Sequence, residues 1–177
     1  GNSGGNYAVT LATGGGSIST RAITVTAATD SKPYDGTTNS TGTPTITSGS
    51  LVSGDSAIWT QTFDSKNVGP RTLTPAGTVS DGNSGGNYAV TFNGASLTVG
   101  TRPITVTADA QSRPYGEPNS GLTPPVGGSG LAAACGDSLA DVGTLSSTAT
   151  ACSALGTYPI TFATDGPKAG NYAVAFT

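Results

Sequence analysis

Apolar and polar residues alternate along several short stretches of the chain. In residues 21–27 and again in 102–108, Ile, Val and Ala at every second position alternate with Thr or another residue. The same period of two occurs around Leu73, Tyr88 and Leu97. Because successive side chains of a β-strand point to opposite faces, this pattern predicts strands with one buried and one hydroxylated face. We therefore predict an all-β fold of small antiparallel β-sandwich or β-grasp-like domains.

Turn-forming residues separate the predicted strands. Clusters of Gly, Pro, Asn, Asp and Ser occupy residues 32–36, 53–55 and 81–86, which is typical of tight connections between strands. One stretch, residues 130–142, has a composition compatible with a helix, but Gly136 interrupts it. We expect one or two helical turns there at most.

An internal repeat of about 80 residues organises the chain. Residues 1–10 recur letter for letter as residues 82–91, and residues 21–27 return as 102–108 with a single change. Shorter motifs keep the same order: Pro-Tyr at 33–34 and 114–115, Gly-Asp-Ser at 54–56 and 136–138, Val-Gly at 68–69 matching Leu-Gly at 155–156, and Gly-Asn-Tyr-Ala-Val at 86–90 and 170–174. A repeat of this length is too long for a solenoid rung and suits a small domain.

The repeat predicts a domain organisation. Residues 1–20 correspond to the final strands of a preceding repeat, residues 21–100 form a first unit, and residues 101–177 form a second unit. The second unit ends before a counterpart of residues 95–99, and residues 16–20 provide such a strand at the start of the chain. The junction between the units is short and extended, which predicts a rod. Two alternatives follow for the open edges: head-to-tail strand donation between subunits, or one long covalent array.

Composition and charge exclude several functions. Thr, Ser, Gly and Pro make up 88 of 177 residues, there is no His, and the net charge is −3 with only seven basic residues. The absence of His excludes Ser-His-Asp and His-metal chemistry, and the few cations argue against a nucleic-acid partner. No apolar run approaches the length of a membrane helix, so we expect no membrane insertion. The absence of Met indicates that any targeting segment lies outside residues 1–177.

The two cysteines, Cys135 and Cys152, present two alternatives. A chain rich in Ser, Thr and Gly suits an extracellular location, where paired cysteines tend to oxidise. We therefore predict a Cys135–Cys152 disulfide that closes one loop. The alternative is a free reactive thiol, but no His is present to activate it.

These motifs resemble those of two related families. Residues 32–38, Gly54-Asp55, residues 67–69 and residues 86–88 resemble the YDG domain of large bacterial surface proteins. Residues 113–118, 155–161 and 170–172 are similar to the MBG domain of the YGX type. The resemblance implies tandem β-rich stalk modules of secreted, filamentous-haemagglutinin-like adhesins, located outside the cell and without enzymatic activity or cofactors. The cysteine pair is not part of the family pattern.

Three groups of residues are candidate sites, and each has a structural and a functional interpretation. The candidates are Pro33, Tyr34, Asp35 and Gly36; Pro114, Tyr115 and Gly116; and the pairs Asn87-Tyr88 and Asn171-Tyr172. Exposed Tyr and Asn side chains suit glycan binding, but Pro and Gly suit tight turns and Tyr suits an anchor on the apolar face of a strand. We favour turns and anchors. Asp55 and Asp137 lack the oxygen-rich pattern that calcium requires, so we predict no metal site.

The sequence thus favours a non-catalytic stalk or fibre. We expect its partners to be neighbouring repeats or subunits of the same protein, joined by edge strands. A glycan- or surface-binding module is the alternative function, with surface glycans as the partner.

Overall fold

The alternating stretches form strands in the computed structural model, which describes residues 5, 7, 8, 10–119 and 121–177. The described residues of the first unit form β1 (Arg21–Thr26), β2 (Lys32–Pro33), β3 (Thr45–Ser48), β4 (Ser56–Phe63), β5 (Gly69–Ser80), β6 (Tyr88–Asn93) and β7 (Ala95–Gly100). Those of the second unit form β8 (Arg102–Val106), β9 (Val126–Gly128), β10 (Thr144–Ser147), β11 (Ile160–Ala163) and β12 (Tyr172–Phe176). The predicted all-β fold is confirmed.

The helix-compatible stretch behaves as its Gly predicts. It contains two single turns of 3₁₀ helix, Ala133–Cys135 and Leu139–Asp141, and a third such turn occurs at Ala169–Asn171. Gly136 ends the first turn with a φ of 83°, a left-handed conformation that favours Gly. Ser138 and Asp141 cap the second turn reciprocally.

Each unit contains a three-stranded sheet with the same mixed topology. In the first unit β1 lies between β3, which is antiparallel to it, and β6, which is parallel. In the second unit β8 lies in the same way between antiparallel β9 and parallel β12. The prediction of antiparallel sheets thus holds for only part of each unit, because the alternation of apolar and polar residues carries no information about the relative direction of neighbouring strands. The parallel pairs arise because the chain crosses over through other strands before it returns to the sheet.

The second sheet differs between the units. In the first unit the strand order is β2-β7-β5-β4, in which β7 pairs antiparallel with β5 and parallel with β2. Among the described residues of the second unit, the corresponding sheet has two strands, β10 and β11.

The buried residues follow the predicted faces. Ile23, Val25 and Ala27 are buried while Thr24 and Thr26 are partly exposed. One hydrophobic cluster lies within the first unit around Ile23, Val79 and Tyr88. The other contains residues of both units.

The start of the chain differs from the rest. Residues 10–20 form no strand, although residues 16–20 correspond in sequence to the end of the repeat. Most of the repeated segment 1–10 lies outside the described residues, so the structure gives no account of its predicted strand.

Candidate functional site at the joint between the units

The two units meet through a shared hydrophobic cluster. The first unit contributes residues of β4, β5 and β7 and of the segments after β1 and β2, and the second unit contributes residues of β8, of β12 and of the 3₁₀ turns and their flanks. The buried members include Tyr34, Phe63, Leu73 and Val99 from the first unit and Ile104, Val106, Val142 and Tyr172 from the second. Because these side chains pack together, the core of one unit continues into the other.

A buried carboxylate lies at this contact. The side chain of Asp137 is fully buried. Its Oδ2 accepts hydrogen bonds from the hydroxyls of Tyr34, at 2.9 Å, and Tyr172, at 2.6 Å. Its Oδ1 accepts a bond of 2.7 Å from Nζ of Lys168. The carboxylate therefore joins a tyrosine of the first unit to a tyrosine and a lysine of the second.

The surroundings keep Asp137 ionised. Burial alone would raise the pKa of this carboxyl, but hydrogen bonds from Lys168, Tyr172 and Tyr34 outweigh that effect and hold the pKa below its usual value. Burial, together with the hydrogen bond to Asp137, raises the pKa of Tyr34 and of Tyr172. At neutral pH both hydroxyls keep the proton that they donate to the carboxylate.

Tyr34 is held on several sides. Its ring is fully buried and meets the Tyr172 ring edge to face, with centroids 5.5 Å apart. Its backbone N–H donates to the carbonyl of Gly100 at the end of β7. Its carbonyl accepts a bond from the guanidinium of Arg102. The Pro-Tyr motif thus places this ring directly at the contact between the units.

A second polar contact crosses between the units. The side-chain oxygen of Asn171 accepts the backbone N–H of Val68 at 2.9 Å, and its amide nitrogen donates to Oδ1 of Asn67 at 3.1 Å. The Asn-Val-Gly motif of one unit is therefore bound by the Asn-Tyr motif of the other. We use "the joint" for these contacts together with those of Tyr34, Asp137, Lys168 and Tyr172.

The predicted disulfide is not formed, because Cys135 and Cys152 are both free thiols. Cys135 belongs to the joint: its Sγ contacts the carbonyl of Asp35 at 3.4 Å, and its side chain packs against Gly36 of the first unit. Cys152 is exposed in a turn beyond β10. Spacing along the chain carried no information on these separate surroundings.

The turn around Asp35 is built as its sequence suggests. Asp35 binds Nζ of Lys32 at 2.9 Å and accepts the backbone N–H of Thr37 at 2.8 Å. Gly36 has a φ of 79°. Pro33 ends β2 immediately before Tyr34.

The equivalent turn in the second unit is solvent-exposed. Tyr115 is 67% exposed, in contrast with the buried Tyr34. Pro114 precedes it, and Gly116 has a φ of 90° and donates its N–H to the carbonyl of Ala151. The same motif therefore lies in two different environments.

The two Asn-Tyr pairs also differ. Tyr88 is buried and donates to Oδ2 of Asp55 at 2.5 Å, the counterpart of the Tyr172–Asp137 bond. Asn87 is exposed and accepts a bond from Asn83. Asp81, a residue that the sequence did not single out, binds the backbone N–H groups of Asn83, Gly85 and Asn87.

The sequence did not reveal that the Gly-Asp-Ser and Asn-Tyr motifs belong together. In both units the Asp of the first motif accepts the hydroxyl of the Tyr in the second. Both motifs recur in each repeat, and this shared recurrence was the sequence signal that could have linked them. The contribution of Lys168 had no such signal, because Ser84 stands at the corresponding position of the first unit.

The described residues contain no cluster of three or more His, Cys, Asp or Glu side chains with the geometry of a metal site. Among them there is also no helix with the length and apolar character needed to cross a membrane.

Comparison with known proteins identifies both units. The family model described as YDG domain matches residues 19–99, and the model described as MBG domain (YGX type) matches residues 104–177. The order agrees with the resemblance read from the sequence, which is confirmed. No curated protein and no solved structure matches the chain.

Proposed function

Because the chain carries a YDG domain followed by an MBG domain of the YGX type, we propose that it is a non-catalytic structural segment of a secreted bacterial adhesin stalk or extracellular filament. Domains of these two kinds are typical of extracellular proteins. In this proposal the two units hold a fixed orientation to each other and transmit force along a rod.

The observation that carries the proposal is the burial of Asp137 between Tyr34 and Tyr172. A carboxylate loses much of its hydration when it is buried, and its hydrogen bonds compensate for that loss. If the two units separated, the shared hydrophobic cluster would become exposed to water. Asp137 would also lose Tyr34, one of its three hydrogen-bond donors. This coupling of polar and apolar contacts favours one orientation of the units.

The connection between the units supports the same conclusion. β7 ends at Gly100 and β8 begins at Arg102, so a single residue separates two strands of neighbouring units. A one-residue connection permits little independent motion, unlike a flexible Gly/Ser linker. Stiffness is the property that a stalk requires.

Further units would extend the stalk through the same kinds of contact. We propose neighbouring repeats or subunits of the same protein as the partners, joined by strand addition at open sheet edges. Addition of this kind would build a filament by polymerisation.

A glycan-binding role is less well supported. The ring of Tyr34 is fully buried, so it has no surface to offer a sugar unless the units separate. Tyr115 is exposed and remains a candidate for the alternative function. Loss of glycan binding on Tyr115→Ala, with the fold intact, would favour that alternative.

The proposal is tested by measuring how firmly the units are held. Spin labels at Ile58→Cys on β4 and Thr161→Cys on β11, both exposed positions, would be placed in a Cys135→Ala, Cys152→Ser background. We expect a narrow distribution of label distances, and a broader one when Asp137→Ala is added. Asp55→Ala, which removes the counterpart carboxylate outside the joint, should leave the distribution narrow. A broad distribution with Asp137 intact would refute a stiff segment.

A further inference from the structure

We infer that the first unit contains a shear clamp, a pair of chain segments that resists separation when the protein is pulled along its length. The clamp consists of residues 21–34, which begin the unit, and residues 87–100, which end it. The inference rests on the proposed role as a stalk that transmits force, and it names the part of the fold that bears the load.

The two segments of the clamp run parallel in one continuous register. β1 pairs with β6 along its whole length, beginning with Arg21 opposite Tyr88. β2 then pairs with β7, with Lys32 opposite Val99. The partners differ by 67 positions in both stretches. The beginning and the end of the unit therefore stay side by side, although their strands belong to two different sheets.

Hydrogen bonds at the beginning, middle and end of the clamp keep this register. In each of them a backbone N–H of the first segment donates to a carbonyl of the second. The three bonds join Arg21 to Asn87 at 2.8 Å, Ala27 to Asn93 at 2.9 Å and Tyr34 to Gly100 at 2.8 Å. Their even placement is that of a parallel ladder, which is interrupted in its central part and then resumes.

Gln61 of β4 holds the first segment where its strands are interrupted. Residues 27–31 lie outside the strands. There the N–H of Ala28 donates to Oε1 of Gln61 at 2.8 Å, and Nε2 of Gln61 donates to the carbonyl of Ala28 at 3.0 Å. Gln61 is buried, so water has little access to these two bonds. Its side chain thus binds the backbone as a neighbouring strand would.

The direction of the chain determines how force loads the clamp. Tension along the stalk enters the unit at Arg21 and leaves it at Gly100, so it pulls the two parallel segments in opposite directions along their axes. Because the backbone hydrogen bonds of a sheet run across the strands, all the bonds of the clamp are strained together. Pulling the segments apart from one end would instead break the bonds one after another, which needs less force.

The two loaded strands lie inside their sheets. β1 lies between β3 and β6, and β7 lies between β2 and β5. Where force enters, the guanidinium of Arg21 also donates to the carbonyl of Ser50 at 2.7 Å and to its hydroxyl at 2.9 Å. Val25 and Val99 are completely buried, which limits the access of water to the bonds of both strands. Either strand must therefore separate from two neighbours at once.

The first test compares two directions of pulling on the same folded protein. Optical tweezers hold the full chain, in the cysteine-free background used for the spin labels, through two cysteines introduced at exposed positions. Thr20→Cys with Thr101→Cys loads the clamp in shear. Thr20→Cys with Ala89→Cys loads it from one end, because Ala89 lies opposite Ala22 at the beginning of the ladder.

We expect the rupture force to be several times larger in shear than on pulling from one end at the same rate. In the shear arrangement, rupture is assigned to the first unit by the length that it releases, which for about 80 residues is roughly 250 Å. Both arrangements keep every hydrogen bond of the clamp, so the comparison does not depend on a destabilised variant. Equal forces in the two directions, or a larger force on pulling from one end, would overturn the clamp.

The second test compares Gln61 with a buried residue that contributes no hydrogen bond to the clamp. Gln61→Ala removes both bonds to Ala28, whereas Val79→Ala shortens a buried apolar side chain of β5. Urea unfolding measures the loss of stability, and pulling in shear measures the loss of rupture force. Gln61→Ala should lower the rupture force more than Val79→Ala for the same loss of stability. The same ratio of the two losses in both variants would overturn the place of Gln61 in the clamp.

The clamp and the stiff segment fail separately. The spin labels report the orientation of the two units without load, whereas the rupture force reports the resistance of the first unit. Narrow label distances together with equal rupture forces in the two directions would refute the clamp and leave the stalk proposal standing. A rupture force that depends on direction, together with broad label distances, would refute the stiff segment alone.

Discussion

At the scale of residues, the environment of a motif decides what the motif does. Asp55 and Asp137 occupy the same place in the repeat, and each accepts a hydrogen bond from a tyrosine of its own unit. Asp137 alone also receives Tyr34 from the neighbouring unit. The added donor turns a bond within one unit into a contact between two.

The hydroxyl of Tyr34 provides the sharpest test of this contact. Tyr34→Phe keeps the ring but removes one donor from a buried carboxylate, so we expect a loss of about 1.5–3 kcal/mol in the free energy of unfolding. Tyr115→Phe makes the same change at the equivalent exposed position and should cost less than about 0.5 kcal/mol. Urea unfolding of both variants measures the difference. Equal losses in the free energy of unfolding would show that the Tyr34–Asp137 hydrogen bond contributes no more to stability than the exposed hydroxyl of Tyr115.

The ionisation of Asp137 predicts a dependence on pH. Its pKa in the folded chain lies below the ordinary value of 3.8, so the charged form stabilises the fold at higher pH. This contribution is complete above the unfolded pKa and is lost as the pH falls through the folded value.

Asp137→Asn removes that titration. The wild-type chain should exceed the variant in stability by a constant amount at pH 5–8, and the difference should shrink below about pH 4. Unfolding in urea across this range, with the surface variant Asp109→Asn as the control for one lost charge, provides the measurement. A difference that is the same at about pH 2.5 and pH 7 would contradict the assignment.

The sequence identified several residues of the joint but not their partners. Tyr34, Asn171 and Tyr172 were recognisable because their motifs recur, and the turn chemistry around Gly36 was recognisable from Pro and Gly. Nothing in the sequence indicated that Tyr34 is buried while Tyr115 is exposed, because both residues follow a Pro in matching segments. That difference depends on which unit packs against each turn, and no local pattern encodes it.

At the scale of elements, the turn after β2 has a second function at the joint. Gly36 and Gly116 both have positive φ values, 79° and 90°. A Cβ on Gly36 would lie 2.5 Å from the Cβ of Cys135 in the other unit, whereas a Cβ on Gly116 would have no heavy atom within 4 Å. The first turn thus needs Gly for its conformation and for the close approach of the second unit.

This comparison separates backbone strain from packing. Gly116→Ala should cost about 1–2 kcal/mol, the usual cost of a left-handed conformation for a residue with a Cβ. Gly36→Ala should cost clearly more, because the methyl group also displaces the turn that carries Cys135. Denaturant unfolding measures both. Equal losses in the free energy of unfolding would mean that the contact between Gly36 and Cys135 does not contribute to stability.

The strands themselves were largely predictable, whereas their directions were not. The alternation around Ile23 and Ile104 identified β1 and β8 and their buried faces. The parallel pairing of β1 with β6, and of β8 with β12, depends on the path of the chain through the intervening strands. Periodicity reports only which face is buried, so the mixed sheets had to come from the structure.

At the scale of the whole molecule, small cores depend on each other. Leu, Ile, Val and Phe together number 30 of 177 residues, which leaves each unit with few large apolar side chains. The shared cluster joins Leu73 and Val99 of one unit to Ile104 and Val106 of the other. Unfolding either unit would therefore expose part of the other's core.

Coupled cores predict coupled unfolding. The chain should unfold in one calorimetric transition, with a ratio of calorimetric to van't Hoff enthalpy near one. Asp137→Ala should separate this into two transitions, because it removes the acceptor that Tyr34 of the first unit shares with Tyr172 of the second. Asp55→Ala removes the corresponding acceptor within the first unit, so it should lower the transition temperature and preserve a single transition. Two transitions in the wild-type chain would show that the units fold independently, and a single transition in Asp137→Ala would show that contacts other than those of Asp137 couple them.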